Sequence, residues 1–208
     1  MKKKDKEKTG RHRVVHRLVE KASQYNELAS ISEITRRSFG NNAFDGILTM
    51  IGVLIGSMTA GVSDARVVIT TGLSTSIAIM ISGAWGAYLT ESSERRKELI
   101  EMGKTTLTDL KHTRIGRASR FAVLAVSFVD GLSPFVGSII VLMPFFFVSF
   151  FPDIRTVYFT ALAAALVALF ALGIWLGHVG RENLLSYGLK TLLAGVVSII
   201  IGSLLQFN

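Results

Sequence analysis

The stretch Asp45-Gly46-Ile47-Leu48-Thr49-Met50-Ile51-Gly52 recurs in altered form as Asp130-Gly131-Leu132-Ser133-Pro134-Phe135-Val136-Gly137. Each copy sets a carboxylate at the head of an apolar, glycine-studded run long enough to cross a bilayer. A charged group in hydrocarbon costs about 2.5–3.5 kcal/mol even on the mildest scale, so an aspartate in such a run marks a functional position by default. These two runs decide the fold class, an all-α integral membrane protein, and make Asp45 and Asp130 its candidate site.

Working outward, a first span is expected over about 42–61 and a second over 67–90, with only Val62 to Arg66 between them as a tight hairpin. A third span covers about 119–148, longer than a bilayer requires and carrying Pro134 and Pro144, which predicts a kink or tilt. A fourth runs over about 156–177 and a fifth over 189–205. Five transmembrane helices result, four of them near the roughly 20 residues a span needs and the third longer. Half of the 208 residues are hydrophobic, and the mean hydropathy of +0.46 is too apolar for an ordinary soluble domain of this length. No cysteine is present, which excludes disulfides and thiolate metal sites.

The charged residues collect outside the spans. Residues 1–40 form a basic cytoplasmic tail followed by an interfacial helix, with Leu28, Ile31, Ile34 and Phe39 at near-helical spacing. Residues 41–208 are the five-span domain. After Thr90 the second helix is expected to continue into water through Glu91, Glu94, Glu98 and Glu101, stopping at Gly103 before a basic connector to residue 118. The net charge of +8 sits in these extramembrane parts, so no nucleic-acid partner is expected. Of the 23 Lys and Arg residues, eleven precede Asn42, eight lie between Glu91 and Arg120, and two lie between His178 and Lys190, whereas the opposite loops hold only Arg66 and Arg155. The positive-inside rule places the N-terminus in the cytoplasm and the C-terminus on the other side.

The two Asp-Gly copies are 85 residues apart, and Gly83-Ala84-Trp85 is echoed by Gly173-Ile174-Trp175 at an offset of 90. The first hairpin therefore reads as pseudo-repeated in spans three and four, a parallel repeat of the kind from which transporters are built, with the substrate site near mid-membrane. Asp130 lies ten residues past Arg120, roughly 15 Å along a helix, about half of a ~30 Å core. Matching the copies gives Asp45 the same depth and lines a polar crevice with Asn41 and Asn42.

Carboxylate, hydroxyl and carbonyl oxygens with an occasional thioether suit Mn²⁺ or Fe²⁺ better than copper or zinc. Met50, Met58 and Met80 read first as packing, and Met80 is the best ligand candidate of the three for the transport path. Glu91, Glu94, Glu98 and Glu101 recur at spacings of 3, 4 and 3 and share one helical face, either a cytoplasmic metal-collecting surface or a solvated face compensated by Arg95. Gly46, Gly52, Gly56 and Gly137 read as helix-packing positions, and Gly52-x3-Gly56 fits the small-xxx-small pattern. That spacing serves a dimer interface and packing within one chain equally well.

Phe44-Asp45-Gly46, Gly86-Ala87-Tyr88-Leu89, the stretch from Gly137 to Pro144 closing in Leu142-Met143-Pro144-Phe145-Phe146, and Gly188-Leu189-Lys190-Thr191-Leu192-Leu193-Ala194-Gly195 appear in that order. In these marks the chain resembles the vacuolar iron transporter family, in a short form lacking the long cytoplasmic metal-binding domain. The resemblance implies a homodimer in the lipid bilayer that moves Fe²⁺ or Mn²⁺ out of the cytosol, proton-coupled, without a cofactor, and with Asp45 in the transport path. The sequence departs from the family where Gly83 stands at a position usually occupied by methionine, where Ser74, Thr75 and Ser76 replace a carboxylate, and in Asp130 itself. Two other functions compete. One is a membrane metal sensor or scaffold working through the glutamate face. The other is an intramembrane aspartyl hydrolase, which needs two carboxyl groups close enough to share a proton.

Overall fold

The computed structural model describes residues 31–107, 109–110 and 113–204. The basic tail, the part of the expected interfacial helix that holds Leu28, residues 108, 111 and 112 of the connector and the last residue of the expected fifth span lie outside the described residues. Within them the chain is helical: α1 (Ile31–Thr59), α2 (Ala65–Thr106), α3 (Arg114–Phe146), a 3₁₀ turn (Val148–Phe150), α4 (Ile154–Gly180) and α5 (Leu184–Leu204). All five α-helices are long and apolar enough to cross a membrane.

The turns are written in local chemistry. α1 ends where Gly61 adopts a left-handed φ of +69°, letting the Val62 N–H reach back to the Ser57 carbonyl at 3.0 Å and satisfy a terminal acceptor. The Asp64 carboxylate then accepts the Arg66 N–H at 2.9 Å and opens α2. At the other hairpin Arg181 takes the left-handed position, φ 55°, and Asn183 Oδ1 accepts the N–H groups of Leu185 and Ser186 to start α5.

Two boundaries differ from expectation. No break separates an interfacial helix from the first span, because Asn42 turns its amide back to the Ser38 carbonyl at 2.9 Å and α1 runs on through Gly40-Asn41-Asn42. Gly103 does not stop α2. A lone glycine costs a helix only about 1 kcal/mol, and the helix continues to Thr106, next to Leu107 with its positive φ.

The chain divides into two compact units, one drawing on residues 31–36 and 86–128 and the other on 37–85 and 129–204. In the first, Ile31, Ala118 and Ala122 form a small buried cluster with Ala125 against it. In the second, the core gathers Met50, Ile51 and Leu54 of α1, Val68 of α2, Val141, Leu142 and Phe145 of α3, and Val157, Tyr158, Ala161, Ala165 and Leu169 of α4. The side chain of Met50 is fully buried there. α5 closes on α4 through small residues: a Cβ on Gly173 would lie 2.6 Å from the Tyr187 carbonyl oxygen, and Thr191 donates its hydroxyl to the Leu169 carbonyl at 2.8 Å.

Within the second unit α1 and α3 lie backbone to backbone. A Cβ on Gly46 would fall 2.6 Å from Pro134 Cα, and one on Gly137 would fall 2.7 Å from the Ala43 carbonyl oxygen. Two hydrogen bonds fix their register. Ser38 donates to Asp130, and Ser138 donates to the Gly46 carbonyl at 3.2 Å. Eight residues separate the α1 partners and eight separate the α3 partners, so the helices run in the same direction.

This register changes one expectation drawn from the repeat. It sets Ser38, not Asp45, level with Asp130, and leaves Asp45 seven residues farther along α1, about 10 Å at 1.5 Å per residue. The two Asp-Gly copies therefore do not share one depth. Backbone fit at Gly46 and Gly137 sets the stagger, and a sequence offset does not report it.

Candidate intramembrane aspartate site

Asp130 sits where three helices meet within the second unit. From α1, the Ser38 hydroxyl donates to its carboxylate, and Asn42 Nδ2 donates in turn to the Ser38 hydroxyl at 3.2 Å. From α2, Gly83 gives it room: a Cβ there would stand 3.0 Å from the Asp130 carbonyl oxygen. The neighbouring Gly131 presses on the Met80 carbonyl, 2.7 Å from where its own Cβ would be. Asp130 is half-buried.

α3 adds a further feature at the same residue. Pro134 is inside the helix and has no N–H to return to the carbonyl four residues earlier, which is that of Asp130. The residue thus presents a carboxylate and a carbonyl to which the i+4 residue of the helix offers no N–H. Beside them are a serine hydroxyl and an asparagine amide. Met80 and Asp130, singled out separately in the sequence, come from segments that pack on each other. Ser38 had not been singled out; its spacing of four from Asn42 is the signal that could have found it, since i and i+4 share a helix face.

Asp45 is placed differently. Its side chain is exposed on α1 and has no hydrogen bond or ion pair with another described residue. Gly52 and Gly56, seven and eleven residues on, lie on the same helical face, and a Cβ added to either meets nothing within 4 Å. Their smallness is not used within the described chain, unlike that of Gly46 and Gly137. The two aspartates do not form a dyad: Asp130 bonds to Ser38, two turns of α1 from Asp45.

The glutamates lie on the charged C-terminal stretch of α2. Glu91 and Glu98 both pair with Arg95, at 3.5 Å each, so the guanidinium lies between them as the compensated-face reading expects. Glu94 and Glu101 are exposed. Among the described residues no three His, Asp or Glu side chains converge as a ready metal-binding group.

Residues 39–109 match the VIT family. An uncharacterised protein of Methanocaldococcus jannaschii is 32% identical over 160 residues, covering 76% of this chain and 80% of that protein. The chain belongs to the VIT family. The five apolar helices of this VIT chain make it a multi-pass membrane protein, of a family of transporters. The match begins at Phe39, whose ring packs edge-on against Trp175 with centroids 5.4 Å apart, and takes in Asn42, Asp45, Met80 and the four glutamates. Asp130 lies beyond it.

Proposed function

We propose that this VIT-family chain carries a divalent first-row metal ion, Mn²⁺ or Fe²⁺, out of the cytoplasm in exchange for protons. The observation that carries the reading is Asp45: a carboxylate within an apolar span, on an exposed helix face, without a partner among the described residues. Such a group is costly in hydrocarbon unless something covers or uses it. A second copy of the chain would cover it, with the stripe of Asp45, Gly52 and Gly56 at the seam of a homodimer. Two facing carboxylates would then bind and dehydrate a cation that has oxygen preference, with the Met80 thioether as a softer ligand farther along the path.

Asp130, held by Ser38, serves as the second station. Its carboxylate is suited to carry the proton or to take the ion after Asp45, and it supplies the charge that Ser74, Thr75 and Ser76 lack. The distribution of lysine and arginine supports a cytoplasmic N-terminus and a C-terminus on the opposite side.

Reconstitution tests this directly. Proteoliposomes should take up Mn²⁺ or Fe²⁺ in preference to Mg²⁺, faster with a pH gradient than without one, and Asp45→Asn should abolish the flux. Wild-type protein moving neither ion would refute transport; flux indifferent to the gradient would remove the proton coupling. The sensor reading is weaker because Arg95 neutralises two of the four glutamates on the face it requires.

A further inference from the structure

The first unit contains an open groove of about 480 Å³ that the metal path does not use. Its lining includes Tyr88, Ser92 and Arg96 of α2, and Ser119, Arg120 and Leu124 of α3. The two helices line it in opposite directions. Along α2 the lining passes from Tyr88 to Arg96 as the sequence leaves its apolar run; along α3 it passes from Arg120 to Leu124 as the sequence enters one. Both therefore change from charged to apolar along the groove, which is the polarity profile of the membrane–water boundary. Tyr88 fits that boundary, where an aromatic ring with a polar tip is favoured.

The charge in the groove has one sign. Arg95 also lines it but is engaged by Glu91 and Glu98. Arg96 and Arg120 bring two further guanidinium groups to the groove, both exposed, and among the described residues no carboxylate lines it. Hydroxyls stand next to the arginines: Ser92 is half-buried and Ser119 is 6% exposed. The apolar end leads to Leu124, 62% exposed, and one helical turn farther to Phe128, 66% exposed. A guanidinium pair flanked by hydroxyls recognises a phosphate. A phosphate site that opens onto an exposed aliphatic and aromatic ridge fits a phosphate with an acyl chain attached.

We infer that the groove between Arg96 and Arg120 binds an anionic phospholipid, its headgroup phosphate at the arginines and serines and its acyl chain along Leu124 and Phe128. Basic pockets between membrane helices are suited to such headgroups. With the orientation proposed above, the groove faces the cytoplasmic leaflet, where anionic lipids concentrate. The inference does not depend on the transported ion, and its test reads no flux.

The test is native mass spectrometry and thermal melting of the full chain in detergent, titrated with phosphatidylglycerol, phosphatidylcholine and sn-glycerol 3-phosphate. Phosphatidylglycerol should be retained and should raise the melting temperature, with the other two giving no comparable effect. Arg96→Gln should weaken phosphatidylglycerol about fivefold, and the Arg96→Gln, Arg120→Gln double variant about twenty-fivefold, with lipid-free melting unchanged for the single variant. The single variant keeps the test decisive if the double variant folds poorly. Equal retention of phosphatidylcholine, or undiminished phosphatidylglycerol binding by Arg96→Gln, would overturn the proposal. Saturation by glycerol phosphate alone would assign the groove to a soluble phosphate ester instead.

Discussion

The Ser38 hydroxyl donates a hydrogen bond to the Asp130 carboxylate across 92 positions of sequence, joining the start of the first membrane helix to the third. Ser38 is ordinary in isolation. Together they define a polar site that neither helix has alone. If the pair works as a unit, its variants will be non-additive. Asp130→Asn should lower proteoliposome Mn²⁺ flux by about tenfold or more and Ser38→Ala by less, with a coupling energy in the double-mutant cycle of about 0.5–3 kcal/mol. Additive losses would mean that the hydrogen bond has no role in transport.

Asp45 is predicted to matter for flux and not for folding. Because its side chain makes no bond to another described residue, Asp45→Asn removes no contact within the chain and should not lower the melting temperature in detergent. Mn²⁺ uptake should nevertheless be lost. A large fall in melting temperature would reveal a structural aspartate.

The glycines divide into two classes that the same substitution separates. Gly46→Ala places a methyl group against the backbone of Pro134, where neither partner is a flexible side chain, and should destabilise by about 1–3 kcal/mol or more. Gly52→Ala meets no atom within 4 Å and should melt like the wild type. Gly52→Leu should shift the assembly toward monomer, measured by light scattering after size exclusion, if the Asp45 face is the seam between protomers. An unshifted dimer would place that seam elsewhere.

Tyr158 gives a cleaner test of the core. Its hydroxyl donates to the Val62 carbonyl at 3.0 Å, tying α4 to the turn between α1 and α2, while its ring packs edge-on against Phe145 with centroids 5.0 Å apart. Tyr158→Phe keeps the ring contact and removes the bond. The expected cost is about 0.5–1.5 kcal/mol, read as a lower melting temperature with flux retained. An unchanged melting temperature would mean that the Val62 carbonyl finds another donor at no cost.

Much of this fold was legible in the sequence because the bilayer restricts the choices. Apolar runs of about 20 residues leave few alternatives to membrane helices, and Gly61, Asp64 and Asn183 mark turns by their own chemistry. Boundaries set by weaker forces were less legible. Asn41 and Asn42 resemble a helix entry but are carried inside one, and Gly103 resembles a stop that α2 passes through. The candidate site was legible only in its charges. Asp45 and Asp130 announced themselves, since aspartate in an apolar run demands a reason. Their environments did not, because the partner of Asp130 comes from 92 residues away and the stagger of α1 against α3 depends on which glycine meets which backbone. The N–H missing opposite the Asp130 carbonyl was readable from Pro134 four residues on.

The contact of Gly46 with Pro134 and of Gly137 with Ala43 also restricts how the protein can move. Sliding one helix along the other would drive a backbone against a backbone and break the two hydrogen bonds that fix their register. Packed elements of this kind shift between discrete arrangements and do not creep. Within the second unit the facing stretches of α1 and α3 are therefore a strut that moves as one piece.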